Sequence, residues 1–469
     1  MVGLPYNVIC KQNVNKKYSA HFSCYLKKEI QIHGSAAGCR QSIKEMTSVM
    51  KTLSYINFII SVLFMACYAY QAVYLAVSLF RRQKVFAAKK NHRYAVLIAA
   101  RNEETVIAQL IESVRGQTYP SELVDIFVVA DNCTDRTAAV ARAAGAVVFE
   151  RQDQYAVGKG YALKFLLNAI FEQYGEHTFE GFFVFDADNI LDEHFIEEMN
   201  KVFDSGYEVV TSYRNSKNFG DNWISAGYSL FFLREATQLN RPRMMLGTSS
   251  CVSGTGFLFS ARIARQNGGW KHFLLTEDFE FTVDCILQNT PVGYCESAVV
   301  YDEQPTKLGQ SLMQRARWIK GYLQVFSRYG FRMFKKMLVD GSFSCFDMIM
   351  NNIPCLVLTC ATLIFNAIMA VAGIVTRTPD MNICILSVVT GLLGSMMTLW
   401  FVGGVTCITQ RKNIHASAKM KVVGVLAFPL FVFTYAISML YAVFTNIEWK
   451  PIKHTVALSA EEIRNLRKK

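Results

Sequence analysis

Charged residues are scarce in this chain, 18% against 52% hydrophobic, and a soluble protein of ordinary composition carries more charge and less apolar surface. The shortage points to a membrane. The 13 cysteines form no CxxC pair and no Cys/His cluster at zinc spacing. Cys67, Cys355, Cys360, Cys384 and Cys407 lie inside apolar runs, so a disulfide framework and a zinc site are excluded. No HxxxH pair occurs, and His21, His33, His92, His177, His194, His272, His415 and His454 read as surface or loop residues. No serine or cysteine nucleophile elbow appears. A phosphate loop is missing too: "DQYAVGKGY" has Asp153 where the first glycine belongs, and Lys159 is followed by Gly160 rather than Ser or Thr. That removes the P-loop nucleotide hydrolases. Repeats and low-complexity tracts are absent.

Acid is also in short supply, with 37 Asp and Glu against 49 Lys and Arg, a net charge of +12. Such an excess suits nucleic acid, an anionic lipid surface or an anionic small substrate. The basic residues cluster at the edges of apolar runs rather than on one face with base-stacking aromatics, which makes nucleic acid a poor explanation.

Residues 1–50 have no apolar core and read as a basic, poorly ordered tail, not a cleaved signal peptide. Met46 and Met50 are alternative starts. Residues 53–80 are apolar and long enough to cross a bilayer, and Arg81, Arg82, Lys84, Lys89, Lys90 and Arg93 follow, so the next region is expected in the cytosol. Over residues 90–305, β-branched runs such as "YAVLIAA" and "VDIFVVAD" alternate with helical stretches such as "GYALKFLLNAIFEQY", the pattern of βαβ units and a mostly parallel sheet. Residues 306–345 read as amphipathic interface helices: Trp318, Tyr322 and Phe326 fall four apart, with Arg317, Lys320, Arg328, Arg332, Lys335 and Lys336 interleaved. Residues 346–446 hold about three spanning segments. The loop "TQRKNIHASAKMK" and the tail 447–469 are both basic although one full span would separate them, so either Pro429 breaks the last segment into a re-entrant or interfacial piece or the tail lies outside; the expectation is a cytosolic tail.

Chemistry is expected at the carboxyl ends of the strands. Asp131 closes one predicted strand, where its carboxylate can accept a hydrogen bond from a nucleobase or a ribose hydroxyl. Asp186 and Asp188 close another and, at i and i+2 on an extended chain, point to one side. Two such carboxylates repel unless a hard divalent cation, Mg2+ or Mn2+, neutralises them and bridges them to a diphosphate. A strand-end Asp taken alone is as often a loop or helix cap. Lys159 stands between two glycines that permit close approach to a diphosphate, and opening the next helix is an equally good reading. Glu277 and Asp278 begin a predicted helix behind a candidate cap, Thr276; acids there are common for dipole reasons alone, and the other reading is a general base. Gly254, Thr255 and Gly256 belong to a run of small residues that suits a tight turn or close backbone approach.

Taken in order, Asp131, then Asp186 and Asp188, then Glu277 and Asp278, then Gln314, Arg317 and Trp318 (a QxxRW signature) resemble the motifs of the membrane-bound family-2 glycosyltransferases, which include hyaluronan, chitin, cellulose and poly-N-acetylglucosamine synthases. The motifs extend to residue 320 and are framed by spanning helices, and four in one order are far more specific than any alone. The resemblance implies an α/β fold: a Rossmann-like GT-A domain with a mostly parallel sheet, plus a helical transmembrane region and interfacial helices. It implies that Asp131 holds the uracil, Lys159 lies near the uridine diphosphate, Asp186 is a diphosphate-side partner and Asp188 ligates the metal. Asp278 is implied as catalytic base, Gln314 and Arg317 as the diphosphate clamp, and Trp318 as the floor under the acceptor sugar. Gly254, Thr255, Gly256 and Glu277 fall on the acceptor side, and Trp449 loosely parallels a gating motif.

The implied enzyme is an inverting glycosyltransferase at the cytoplasmic membrane, using UDP-N-acetylglucosamine or UDP-glucose to extend a β-linked polysaccharide. The main alternative is single addition of a sugar to a ceramide or diacylglycerol acceptor, because ceramide glucosyltransferases share this layout and this chain has fewer spans than several polymerising relatives. A non-catalytic transporter or scaffold is a remote alternative, since the spans contain almost no buried charge apart from polar residues such as Asn366.

Overall fold

The computed structural model describes residues 55–376, 381–447, 454, 456, 458, 461 and 462. The tail before residue 55 and Trp449 lie outside the described residues. Two compact units are distinguished: Met1–Met65 with Leu358–Leu393, and Ala66–Val357 with Gly394–Lys469. In the first, Asn57 and Asn366 exchange side-chain amide hydrogen bonds at 3.2 Å, which satisfies two polar groups in otherwise apolar helices.

The second unit is built on β1 (Tyr94–Ala100), which is apolar along its whole length and covered on both faces, as a central parallel strand should be. β2 (Val124–Asp131) and β4 (Gly181–Asp186) flank it in parallel, and β3 (Val147–Arg151) extends the sheet beyond β2. β5 (Ile190–Leu191), β6 (Val209–Ser216), β7 (Phe257–Ser260) and β8 (Val292–Asp302) complete the order β3-β2-β1-β4-β7-β6-β8-β5, in which β7 and β5 run antiparallel to their neighbours. Because β2 and β4 lie on opposite sides of β1, the connections diverge there and open a crevice at the carboxyl ends.

Pleating sorts the core. Val96 and Ile98 join one hydrophobic cluster, while Ala95 and Leu97 join the cluster on the other face. The first face is covered by α3 (Ile107–Arg115), α4 (Thr137–Ala143), α6 (Phe195–Asp204) and α7 (Trp223–Arg234); the second by α5 (Lys159–Tyr174), α9 (Ala261–Gln266) and α10 (Glu277–Leu287). The first cluster continues through Cys407, Ile414, Phe428 and Phe431, so part of the apolar C-terminal region belongs to the same core.

The described part of the first apolar stretch is not one unbroken helix: α1 (Tyr55–Tyr68) and α2 (Tyr70–Phe80) are separated by a break. The interface region is one helix of 32 residues, α11 (Leu308–Val339). Its Tyr322 and Phe326, half-buried, pack on Phe279, with ring centroids 5.0 and 5.9 Å away. Its exposed large apolar residues are Leu308 and Met313 near the N-terminal end and Phe331, Phe334, Leu338 and Val339 near the C-terminal end. α12 (Phe343–Thr376), α13 (Met381–Thr409) and α14 (Ala418–Phe444) each contain a stretch long and apolar enough to cross a membrane. α14 continues through Pro429 rather than breaking there.

α8 (Arg241–Met245) is tied to α12 and α2 by a buried ion pair. The Arg243 guanidinium grips both carboxylate oxygens of Asp347, at 2.7 and 3.1 Å. The hydroxyls of Tyr70 and Tyr74 each donate to Asp347 at 2.8 Å, and both charged side chains are fully buried. Removing one partner strands the other charge, so Asp347→Ala is expected to lower unfolding free energy by roughly 3–5 kcal/mol. Asp347→Leu with Arg243→Met should recover most of that loss. Denaturation of the detergent-solubilised protein checks both, and an Asp347→Ala variant as stable as the parent would contradict this role.

Candidate active site

A cavity of about 220 Å³ opens at the carboxyl ends of the strands. Asp131, Lys159, Asp186, Asp188, Gly254, Glu277, Asp278, Gln314, Arg317 and Trp318, drawn from separate stretches of sequence, all line it. Thr255 and Gly256 do not. Thr255 is buried behind the wall, where its hydroxyl donates to Asn189 and accepts from the Asp186 backbone N–H at 2.9 Å. Gly256 has φ +65°, and a Cβ there would meet Ser212 Oγ at 2.5 Å and Val300 Cγ1 at 2.7 Å. These two residues shape the backbone under Asp186 and Asp188 rather than face a ligand.

The acids are held individually. Asp131 ends β2, and its Oδ1 accepts from Arg151 Nη1 at 2.5 Å and from the Asn132 amide at 3.2 Å. Asp186 ends β4, but Asp188 lies beyond the strand in a turn, so the extended i, i+2 geometry does not apply. The turn nonetheless brings both carboxylates to the cavity. Lys159 Nζ donates to Asp186 Oδ1 at 2.5 Å and to the Gly254 carbonyl at 2.8 Å. Burial works against the charge on Lys159, yet Asp186, Glu277 and Asp278 hold its pKa above the usual ammonium value. Asp188 Oδ2 accepts from the Glu303 backbone N–H at 2.9 Å, and Lys217 donates to the Asp188 carbonyl.

Glu277 and Asp278 open α10, whose N-cap is Thr276 by position only; its hydroxyl makes no capping bond and is buried without a partner. Burial raises the pKa of both acids, and for Glu277 the neighbouring Asp278 adds to the rise. Gly254 has φ +81°, a left-handed conformation that favours glycine, and an ideal Cβ there would stand in ordinary contact with Asp278 Oδ2 at 3.6 Å. Glu280, one turn on, accepts from the Phe273 and Leu274 backbone N–H groups at 2.9 and 3.0 Å and so fixes the loop before these acids.

α11 contributes Gln314, Arg317 and Trp318. Gln314 Oε1 is buried without a hydrogen-bond partner, and Arg317 is bonded to no carboxylate among the described residues. Trp318 stacks on Phe231, with centroids 6.4 Å apart at 23°, and meets Tyr228 and Phe232 edge-on.

Several lining residues carry no signal at the level of sequence motifs. Arg214 donates to both Asp302 and the Ser253 carbonyl, and its guanidinium lies 3.8 Å from the centroid of Phe232. His454, expected as a loop residue, lines the cavity and contacts Glu103 at 3.0 Å. Burial opposes its charge, but Asp188, Glu103 and Glu303 push its pKa up to about 10. His92 and His272 are also not simple surface residues: His92 bridges Glu180 and Asp204, and buried His272 faces Asp284.

Nine carboxylates line the cavity against four Lys or Arg and one His. An anionic diphosphate entering alone would meet net repulsion; a divalent cation entering with it reverses that. Among the described residues no three metal-ligating side chains converge into a ready-made cage. The hard oxygen donors of Asp186 and Asp188 still fit a Mg2+- or Mn2+-type ion that keeps water and phosphate ligands.

Residues 92–321 match the family described as Glycosyltransferase like family 2. The chain therefore carries a glycosyltransferase family-2-like domain. Among curated relatives, it is 24% identical over 274 residues to "Probable glycosyltransferase YdaM" of Bacillus subtilis, covering 53% of this chain and 59% of that protein. It is 26% identical over 331 residues to a "Beta-monoglucosyldiacylglycerol synthase" of Trichormus variabilis, covering 68% of this chain and 66% of that one. It is 22% identical over 244 residues to a "Poly-beta-1,6-N-acetyl-D-glucosamine synthase" of Staphylococcus epidermidis, covering 50% and 55%. The chain thus spans about half to two-thirds of the length of these relatives. In three dimensions it resembles a mannosyltransferase of Pyrobaculum calidifontis solved with GDP-mannose and Mn2+, with TM-score 0.55 and 14% identity over 83% of this chain and 99% of that one. The fold is GT-A-like, with a mostly parallel sheet followed by candidate membrane spans.

Packing under the cavity generates a direct test. A Cβ on Gly160, at the start of α5, would lie 2.1 Å from the His272 carbonyl oxygen. Gly160→Ala must push the loop that precedes Glu277 away from α5. It is expected to cost about 1–3 kcal/mol, read as a lower thermal midpoint, and an unchanged midpoint would contradict this contact.

Proposed function

We propose that this glycosyltransferase is an inverting enzyme at the cytoplasmic membrane that moves a sugar from UDP-N-acetylglucosamine or UDP-glucose onto a sugar-terminated, growing β-linked chain. One observation carries the reading: Asp278, Lys159, Arg317 and the Trp318 platform share one cavity with Asp131, Asp186 and Asp188. Asp131, oriented by Arg151, accepts from the uracil or a ribose hydroxyl. Lys159, Gln314 and Arg317 bind the diphosphate, and Arg317 is free to do so because no carboxylate claims it among the described residues. A planar guanidinium suits that ligand. A divalent cation held by Asp188, beside Asp186, would neutralise charge on the departing diphosphate.

Trp318, held upright by Phe231, Tyr228 and Phe232, presents an aromatic wall to the apolar face of the acceptor's terminal pyranose. Asp278 takes the proton of the acceptor hydroxyl. The oxygen attacks the anomeric carbon from the face opposite the nucleotide, the new C–O bond forms, and the bond to the diphosphate breaks with both electrons leaving on oxygen. An α-linked donor therefore gives a β-linked product. Glu277 sits on the acceptor side of this base.

A second reading, single addition to a diacylglycerol-type lipid, is favoured by the relatives whose names describe β-monoglucosyldiacylglycerol synthases, 25–26% identical to this chain. Product size separates the two. With UDP-glucose or UDP-N-acetylglucosamine and Mg2+ or Mn2+, the first reading predicts a ladder of lengthening products; one sugar on extracted lipid in every condition would replace it with the second.

The base makes two further demands. Asp278→Asn should lower turnover by about 10²–10⁴-fold with donor KM and thermal midpoint nearly unchanged, and an active variant would move the base elsewhere. The Asp278 pKa is raised by burial, and only the deprotonated form works. Activity is then present above that raised pKa and lost as pH falls through it. The acid limb of kcat/KM should lie above the ordinary aspartate value of about 4; a limb at or below it would exclude Asp278.

A further inference from the structure

Of the four cavity acids that the mechanism leaves unused, Glu103, Glu235, Asp302 and Glu303, Glu235 stands among the aromatic residues on the side of the base. Glu235 follows the last residue of α7, where the helix widens into a π-helical stretch, Glu235–Asn240, before α8 begins. Such widened turns cost hydrogen-bond geometry and recur at functional sites. Glu235 lines the cavity with Phe231, Phe232, Ser253, Asp278 and Tyr322.

Among the described residues its hydrogen-bond partner is a single hydroxyl, Ser253 Oγ, at 3.3 Å. A carboxylate has about four acceptor sites, and leaving them unfilled away from bulk water is costly. The nearby cations make their hydrogen bonds elsewhere: Arg214 to Asp302 and the Ser253 carbonyl, Arg243 to Asp347 and Asn240, and Arg234 to Gln71. Burial raises the Glu235 pKa, and the pull of Arg243 and Arg214 at a distance does not offset it. The side chain therefore has acceptor capacity that the protein does not use, in the aromatic part of the cavity.

We propose that Glu235 is a specificity-determining residue for the acceptor, accepting hydrogen bonds from hydroxyl groups of its terminal sugar so that the reacting hydroxyl stands at Asp278. This rests on the glycosyl-transfer reading and deepens it, because it assigns a polar contact that selects a polyhydroxylated acceptor over one that offers a single hydroxyl. The aromatic wall holds the ring's apolar face, and Glu235 reads its edge. Diacylglycerol, with one free hydroxyl, cannot both satisfy Glu235 and present that hydroxyl to Asp278.

The test uses the full-length protein in detergent with UDP-N-acetylglucosamine and UDP-glucose. Soluble β-linked N-acetylglucosamine or glucose oligomers serve as one acceptor probe and diacylglycerol in mixed micelles as the other. Glu235→Gln keeps the size and loses the charge. It is expected to raise KM for the oligomers by about tenfold or more, to shift the partition of donor toward water by a similar factor, and to move donor KM by less than about twofold. Glu235→Asp should recover part of the oligomer KM. Unchanged oligomer KM, or equal change in donor and oligomer KM, in both variants would overturn the assignment while leaving the transfer reading intact. A wild-type protein that transfers to diacylglycerol and never to the oligomers would also overturn it. Failure of the wild-type protein to turn over either UDP-sugar would instead remove the glycosyl-transfer reading, and this assignment with it.

Discussion

Nine carboxylates face a single cavity, and keeping that surplus of negative charge out of bulk water is the constraint on which the surrounding structure depends. Burial and mutual repulsion both push such groups toward protonation, so each acid that stays ionised needs a dedicated partner. Asp131 has Arg151, Asp186 has Lys159, Asp302 has Arg214 and Glu103 has His454. Pairing does not cancel burial everywhere: the pKa values of Glu103 and Asp302 rise despite their partners, as do those of Glu277 and Asp278, which have no ion pair among the described residues. An acid that must accept a proton gains basicity from being buried and left unpaired.

The sheet makes this arrangement possible because its strand ends are neighbours in space while distant in sequence. β1, β2 and β4 run parallel, so Ala100, Asp131 and Asp186 finish on one edge. β8 enters from the far side and delivers Asp302 and the chain that follows it to the same edge. Loops leaving one edge can converge without any strand bending, and the interior of the sheet remains apolar. The widened helix that starts at Glu235 and the positive-φ Gly254 are local departures from regular geometry, and Glu235 and Gly254 both line the cavity.

The same arrangement explains what is legible in the sequence. β1 reads as a strand because it is an unbroken apolar run, and Asp131 and Asp186 stand out because each ends such a run; the α/β class follows from the alternation of such runs with helical stretches. The partners of the cavity acids are not legible. His454 meets Glu103 across 351 positions and Arg214 meets Asp302 across 88; no local pattern marks either. Helix periodicity does not reveal which rings meet protein: the spacing of Tyr322 and Phe326 on α11 fits a headgroup layer, and the structure adds that both rings pack on Phe279. Thr255 and Gly256 share the small-residue signal of Gly254, and only the backbone path separates the residue that faces the cavity from those that support it.

Arg315 shows how the site is joined to the apolar region of its own unit. It lies between Gln314 and Arg317 in sequence but points the opposite way, fully buried. Its guanidinium donates to the Phe431 carbonyl at 2.9 Å and to Ser311 Oγ at 2.9 Å, and sits over the rings of Phe431 and Tyr435 at 4.5 and 4.7 Å. Phe431 belongs to α14, two residues after Pro429, where the helix already lacks one backbone donor. A planar cation stacked on aromatic faces and bonded to a main-chain carbonyl resists rotation more than an ammonium would. α11 thus presents Gln314, Arg317 and Trp318 to the cavity on one side while its opposite side is pinned to a membrane-type helix. A change in the tilt of α14 would be transmitted to the residues that face the nucleotide and the acceptor, so the geometry of the cavity and the packing of that helix form one mechanical element.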